Sequence, residues 1–171
     1  MNSFDSYQSG HFYRKILVPI DSSKPELSSE LVKHAVQIAE QENHTSRVEK
    51  PTVILINVIE DVKQGGAIGL QAKYGNIKLV DSFVSMKEES ARRWMSLVQQ
   101  VEFKGADLKI EIVHSQGKSL ATVIVDYIRQ NSIELVVIGG GDLFKVRYLL
   151  IGGSVTGKVI KRCNCPILLV R

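Results

Sequence analysis

The chain has 171 residues, of which 44% are hydrophobic and 23% are charged, a composition typical of a globular protein with one sizeable core. The net charge of +4 does not indicate a nucleic-acid partner, because the densest basic pairs, Arg92-Arg93 and Lys161-Arg162, fall within helical patterns. Two cysteines separated by one residue, Cys163 and Cys165, suit a reducing compartment, and we interpret both as structural. Because no apolar run reaches the roughly 18 residues of a membrane span, we expect a cytoplasmic protein without a membrane partner.

The chain begins with a polar segment, residues 1–14, which predicts a loose N-terminal tail before a single domain over residues 15–171. Residues 15–20, KILVPI, form an apolar run that predicts the first strand, and the polar stretch 21–25 ends it. Apolar residues then recur at helical spacing, which predicts a helix whose buried face consists of Leu27, Leu31, Ala35, Ile38 and Ala39.

Polar residues 41–51 are expected to end that helix, and the next segment is apolar throughout. Residues 52–59, TVILINVI, form a continuous apolar run, which is typical of a strand buried on both faces of a parallel sheet. Residues 60–80 contain four glycines and predict a long, partly helical loop. Helical periodicity returns from Asp81 to about Glu102, with Trp94 as a core residue.

The rest of the chain continues the alternation of strands and helices. In order, it predicts a strand at 108–113, a helix capped by Ser119, a strand at 135–138, a helix ending near Cys163, and a strand at 167–170. The order βαβαβαβαβ predicts an α/β fold: a single-domain, open, five-stranded parallel sheet with helices on both faces, a Rossmann-like arrangement.

Residues 152–159, GGSVTGKV, match the P-loop pattern G-x-x-x-x-G-K-[S/T] except at Val159, where the pattern needs a hydroxyl for Mg²⁺. A P-loop helix would begin near Lys158 and would have under two turns before Pro166, which is short for a helix that crosses a sheet. With Ser154 as the N-cap, the helix is long enough. The spacing therefore favours an anion site at the N-terminus of this helix over a P-loop.

Two glycine clusters bracket the predicted anion site. Gly139–Gly141 follow the fourth strand directly and allow a ligand to approach the backbone closely. Residues 152–156 open the last helix, where N–H groups and the hydroxyls of Ser154 and Thr156 suit a phosphate. Between the clusters, residues 146–151, VRYLLI, can also be read as a strand.

These segments resemble the universal stress protein family over nearly the whole chain, from about Lys15 to Arg171. The most specific part is LLIGGSVTGKVIKRCNCPILLVR, which is similar to the usual end of the family, and KILVPIDSS and VILINVIE also look like family segments. The resemblance implies an adenine nucleotide alpha-hydrolase-like fold, a role in the stress response, and a homodimer formed through the last strand.

The ATP-binding branch of that family carries the motif G-x-x-G, nine residues, then G-[S/T]. In that branch the first-strand Asp and a residue at the end of strand two hold the adenosine moiety, and the glycine motif holds the phosphates. The resemblance implies a nucleotide site formed by Ile20, Asp21, Val58, Gly139, Gly141, Gly153, Ser154, Val155 and Thr156.

The chain departs from the motif between its glycines, where it has one residue too many. The second motif glycine falls on Asp142 when counted from Gly139 and on Leu143 when counted back from Gly153, so Gly141 is expected to take its place. An Asp near phosphates repels them unless a cation lies between, and Asp142 is therefore a candidate ligand for Mg²⁺.

Three functions remain open. The first is a regulatory module that binds ATP or a related adenine nucleotide and is not an efficient enzyme. The second is a slow nucleotide hydrolase in which Asp21 or Asp142 positions water and metal, although no general base stands out. The third is a protein whose altered glycine motif no longer binds ATP and which acts through protein–protein interaction.

Overall fold

The computed structural model of this chain describes residues 13–45, 50–60, 77–99, 105–140 and 154–171. These residues form, in chain order, β1 (Lys15–Ile20), α1 (Pro25–Thr45), β2 (Thr52–Ile59), α2 (Ile77–Gln99), β3 (Asp107–His114), α3 (Leu120–Gln130), β4 (Leu135–Gly139), α4 (Val155–Arg162) and β5 (Ile167–Val170). Residues 1–12 of the predicted tail, residues 61–76 of the predicted loop and the alternative strand at 146–151 lie outside the described residues.

The five strands form one parallel sheet in the order β3-β2-β1-β4-β5, which confirms the predicted Rossmann-like architecture. The register pairs Ile20 of β1 with Asn57 of β2, and Asn57 in turn with Ile112 of β3. The chain adds strands on one side of β1 and then returns to add β4 and β5 on the other. The strand order therefore reverses between β1 and β4, which is where open α/β sheets form a ligand crevice.

The sheet is covered on both faces, as the apolar runs of its central strands require. On one face, Val18 and Val53 pack in a core cluster with Leu31 of α1 and with Trp94 of α2, the predicted core residue, which is 9% exposed. On the other face, the core cluster joins the sheet to α3 and α4 through Leu17, Ile54, Ile56, Ile124, Val125 and Val159. The buried face predicted for α1 is confirmed at its centre, where Leu31, Ala35 and Ala39 are buried.

The helix boundaries differ more from the sequence-based expectations than the strands do. α1 continues to Thr45, into the polar stretch 41–51 that predicts its end, because residues such as Glu and Gln are themselves good helix formers. α2 begins at Ile77, four residues before the predicted start at Asp81. Cys163 caps the C-terminus of α4, and its Sγ lies 3.2 Å from the Sγ of Cys165, with both thiols free.

Candidate functional site

A cavity of about 520 Å³ opens at the carboxyl edge of the sheet, at the reversal point between β1 and β4. Its described walls come from the ends of β1, β2 and β4 and from side chains of all four helices. This volume lies within the range of small-molecule sites in proteins. The fold therefore places a ligand-sized space where its topology predicts one.

Seven of the nine predicted site residues line this cavity: Ile20, Asp21, Val58, Gly139, Ser154, Val155 and Thr156. The other two, Gly141 and Gly153, lie outside the described residues, as does the candidate metal ligand Asp142. The sheet thus brings together residues that are more than a hundred positions apart in the sequence.

Ser154 is the N-cap of α4, as predicted from the spacing to the following proline. It has extended backbone geometry, its Oγ accepts a hydrogen bond from Gly157 N at 3.0 Å, and its carbonyl accepts one from Lys158 N at 3.1 Å. Gly157 therefore lies in the first turn of the helix, and Lys158 follows it as an exposed helical residue. This start excludes the P-loop alternative, in which the helix would begin near the lysine.

The N-terminus of α4 presents hydrogen-bond donors to the cavity. Because the first N–H groups of a helix have no partner within it, those of Val155 and Thr156 are available to a ligand. The Ser154 hydroxyl uses its oxygen as the cap acceptor and keeps its hydrogen to donate. Together with the positive end of the helix dipole, these groups suit an anion such as phosphate.

The structure corrects the predicted role of the Thr156 hydroxyl. Its Oγ1 donates to the carbonyl of Gly139 at 2.9 Å, which ties the start of α4 to the end of β4. Since a phosphate oxygen needs a donor, Thr156 can offer its main-chain N–H in this arrangement but not its hydroxyl hydrogen. Gly140 N donates to Val170 O at 2.7 Å, so this N–H extends the sheet.

Asp21 lies in a turn that its own hydrogen bonds hold in place. Its Oδ1 accepts from the N of Ser23 at 3.0 Å and from the Oγ of Ser23 at 2.5 Å, and its Oδ2 lies 3.9 Å from Lys24 Nζ. The buried Ser28 hydroxyl accepts from Asp21 N and donates to Asp21 O, which fixes the turn against α1. The carboxylate is 54% exposed, and Oδ2 can still accept a hydrogen bond from a ligand hydroxyl or amine.

The charged side chains among the described cavity residues balance one another. Lys24 and Lys87 supply two positive charges, and Asp21 and Glu60 supply two negative charges. Lys24 and Asp21 follow β1, Glu60 follows β2 and Lys87 belongs to α2, so none of them lies on β4 or α4. Attraction of an anion to the α4 end of the described cavity therefore depends on main-chain N–H groups and the helix dipole.

Asn57 is a cavity residue that the sequence analysis missed. It is 6% exposed, and its Nδ2 has no hydrogen-bond partner. The signal was present in the sequence, because Asn57 is the only residue with a side-chain amide in the apolar run TVILINVI. The apolar character of the run predicts a buried strand and does not by itself indicate a site residue.

The described ranges also bear on metal binding and on membranes. No three His, Cys, Asp or Glu side chains in those ranges come close enough together to hold a metal ion. None of the helices there combines the length and the apolar character needed to cross a bilayer.

Comparison with known proteins identifies one family. The sequence model of the universal stress protein family matches residues 12–171. A universal stress protein of Methanocaldococcus jannaschii is 27% identical over 161 residues, which cover 94% of this chain and 84% of that protein. A universal stress protein of Bacillus subtilis is 23% identical over 163 residues, covering 93% of this chain and 99% of the relative.

Solved structures of the same family share the fold. The universal stress protein UspA from Lactobacillus plantarum superposes with a TM-score of 0.68 at 22% identity, covering 93% of this chain and 98% of its own. A universal stress protein in complex with cAMP gives 0.55 at 19% identity, covering 93% and 97%. The protein from Archaeoglobus fulgidus in complex with dAMP gives 0.53 at 19% identity, covering 94% and 99%.

Proposed function

Because this chain belongs to the universal stress protein family, we propose that it is a stress-response regulatory protein that binds ATP or a related adenine nucleotide in the cavity at the carboxyl edge of the sheet. The observation that carries the proposal is the α4 N-terminus, which presents unpaired N–H groups and a hydroxyl hydrogen to a ligand-sized space. A nucleotide that binds only one folded conformation would stabilise that conformation by linkage. The nucleotide would in this way regulate which conformation the protein adopts.

The phosphates of the nucleotide belong at α4 in this proposal. Val155 and Thr156 would supply main-chain N–H groups, and Ser154 would add its hydroxyl. Gly153 and Gly141, which precede α4 and follow β4 in the chain, are proposed to complete the phosphate site. Asp142 is the candidate ligand for an accompanying Mg²⁺.

The adenosine moiety belongs at the ends of β1 and β2. Ile20 and Val58 would offer apolar surface, and the Oδ2 of Asp21 would accept from a ribose hydroxyl. Since β2 and β4 flank β1, their ends are two strand spacings apart, which is about 10 Å. This separation suits a ligand with an anionic end and an apolar end, as in the cAMP and dAMP bound by two structural neighbours.

The assembly we propose is a homodimer formed through β5. Among the described residues, this strand is at one edge of the sheet, and β4 pairs with one of its sides. The other side carries the N–H and C=O groups that a second copy of the same strand can pair with across a two-fold axis. The domain is proposed to span residues 15–171 and to work in the cytoplasm.

Titration calorimetry of the purified protein with ATP, with and without Mg²⁺, tests the proposed function. Micromolar binding without phosphate release is the expected result, and mass spectrometry of small molecules released from the purified protein should detect an adenine nucleotide. Gly153→Val should weaken ATP binding, because the phosphates are proposed to lie against this glycine, where a valine side chain would displace them.

The same experiment separates the alternatives. Phosphate release that Asp142→Ala abolishes would favour the slow hydrolase. Failure to bind any adenine nucleotide would defeat both nucleotide functions and would leave the protein–protein interaction function.

A further inference from the structure

Asn57 is a buried amide with an unused hydrogen-bond donor at the wall of the cavity. Its register neighbours on the adjacent strands are Ile20 and Ile112, so the amide lies between apolar side chains along the sheet. A buried N–H without a partner destabilises a fold by an amount comparable to a lost hydrogen bond. The stability of the fold alone therefore favours an apolar side chain at this position. The presence of an amide there must have a cause other than fold stability.

The position of Asn57 separates it from the phosphate end of the cavity. On β2 it shares a face with Val53 and Leu55, which pack towards α1 and α2, whereas α4 packs on the opposite face. It is also two strands from β4, or about 10 Å. A contact between Asn57 and phosphates held at α4 is therefore excluded by distance.

The Nδ2 atom is closed to solvent, but the side-chain torsion that orients the amide is not tightly restricted. The terminal torsion of an asparagine side chain is intrinsically broad, so rotation about it can turn the N–H towards the cavity. The cavity wall beside it includes Ile20 and the buried Leu31, which favour contact with a flat ring of low polarity. A ribose, which carries several hydroxyls, suits the more exposed carboxylate of Asp21.

We propose that Asn57 recognises the base of the nucleotide, with its side-chain N–H donating to a ring nitrogen of adenine; this inference rests on the proposed nucleotide site. A ring nitrogen is an acceptor that carries no hydrogen of its own, and it matches the unsatisfied side-chain donor of Asn57. The amide oxygen can at the same time accept from the exocyclic amine, which is the usual way asparagine pairs with adenine.

Titration of the full-length protein with ATP and with its 1-deaza, 3-deaza and 7-deaza analogues tests this contact. For the wild type, one analogue should bind roughly tenfold more weakly than ATP, because it lacks the nitrogen that accepts from Asn57. Asn57→Leu should bind ATP roughly tenfold more weakly than the wild type and should no longer distinguish ATP from that analogue. Asn57→Asp should lose at least as much, because a carboxylate cannot donate.

Inorganic tripolyphosphate is the control ligand for the other end of the site. Its affinity should be the same for the wild type and for Asn57→Leu, since the phosphates lie two strands away. An equal loss for tripolyphosphate and ATP would overturn the proposal, because the substitution would then have damaged the whole site. Unchanged ATP affinity in Asn57→Leu, or an equal loss for ATP and all three analogues, would overturn it as well.

The ligand-free protein provides a second readout. Asn57→Leu removes the unsatisfied donor, so its Tm without ligand should rise by roughly 2 to 4 °C while its ATP affinity falls. A purely structural role for Asn57 predicts a lower Tm. Asn57→Ala, with a smaller side chain, repeats the affinity test should leucine prevent folding. Absence of ATP binding by the wild type would defeat the nucleotide function itself, whereas wild-type binding that Asn57 variants leave unchanged would defeat only this inference.

Discussion

Ser154 and Ser119 provide a matched pair of substitutions for locating the phosphate site. Both serines are helix N-caps: Ser154 Oγ accepts from Gly157 N at 3.0 Å, and Ser119 Oγ accepts from Thr122 N at 3.3 Å. Replacing either serine by alanine removes one cap acceptor and should lower the free energy of unfolding by about 1 kcal/mol. Only Ser154 lines the cavity, so only its hydroxyl should also contact the ligand.

The ATP affinity should therefore separate the two variants. A hydrogen bond to a charged phosphate oxygen contributes about 1.5 to 3 kcal/mol, so Ser154→Ala should bind ATP roughly 10- to 150-fold more weakly, whereas Ser119→Ala should bind like the wild type. Ser154→Gly adds a further control, because glycine caps a helix almost as well as serine but has no hydroxyl. It should keep the stability of the wild type and lose the affinity.

Urea unfolding measures the stability of each variant, and titration calorimetry measures its ATP affinity. The reasoning would be refuted if Ser154→Gly bound ATP as tightly as the wild type. It would also be refuted if both alanine variants lost the same affinity, since the effect would then follow stability and not contact with the ligand.

Three further predictions concern stability and reactivity. The Lys109 ammonium donates a hydrogen bond to the Glu111 carboxylate at 2.5 Å and holds the pKa of Glu111 below its ordinary value of 4.5. The stabilisation from this pair should therefore be present above pH 4.5 and should be lost as the pH falls below it, which urea unfolding measures. Glu111→Gln should remove this part of the acid dependence. Burial raises the pKa of Cys165 to about 12, so iodoacetamide should alkylate it roughly tenfold or more slowly in the native protein than in urea, and equal rates measured by mass spectrometry would contradict this. A Cβ on Gly105 would lie 2.5 Å from Cγ and 3.0 Å from Cα of Glu40, so Gly105→Ala should destabilise the protein by about 1 to 3 kcal/mol, and an unchanged urea midpoint would disprove the clash.

The strands could be predicted from the sequence because a buried parallel strand leaves a simple record. Residues 15–20 and 52–59 are apolar runs, and the structure places the buried strands β1 and β2 there. The apolar run 167–170 also predicts β5, although this edge strand is mostly half-buried. The N-caps were predictable for a similar reason, since Ser119 and Ser154 act through hydrogen bonds to residues three positions away. Local chemistry determines both features.

The features of the site that the sequence did not predict include contacts between distant segments. The bond from Thr156 Oγ1 to the Gly139 carbonyl exists only because α4 folds back over the end of β4, and no local pattern indicates it. Asn57 was missed because of a local pattern. Its strand matches the pattern of a buried strand so well that one polar residue did not change the prediction. Its meaning appears only when its lack of a partner and its place in the cavity wall are seen together.

The carboxylates of the described cavity favour binding of a nucleotide over its hydrolysis. A general base must lie within hydrogen-bond reach of the water that it activates. Asp21 uses Oδ1 to accept two hydrogen bonds from Ser23, and in the proposed complex its Oδ2 accepts from a ribose hydroxyl. Glu60 follows β2, two strands and about 10 Å from the end of β4. Phosphates held at α4 would thus lie away from Glu60, and the Asp21 carboxylate beside them would already be engaged. The hydrolase alternative therefore depends on Asp142, which lies outside the described residues.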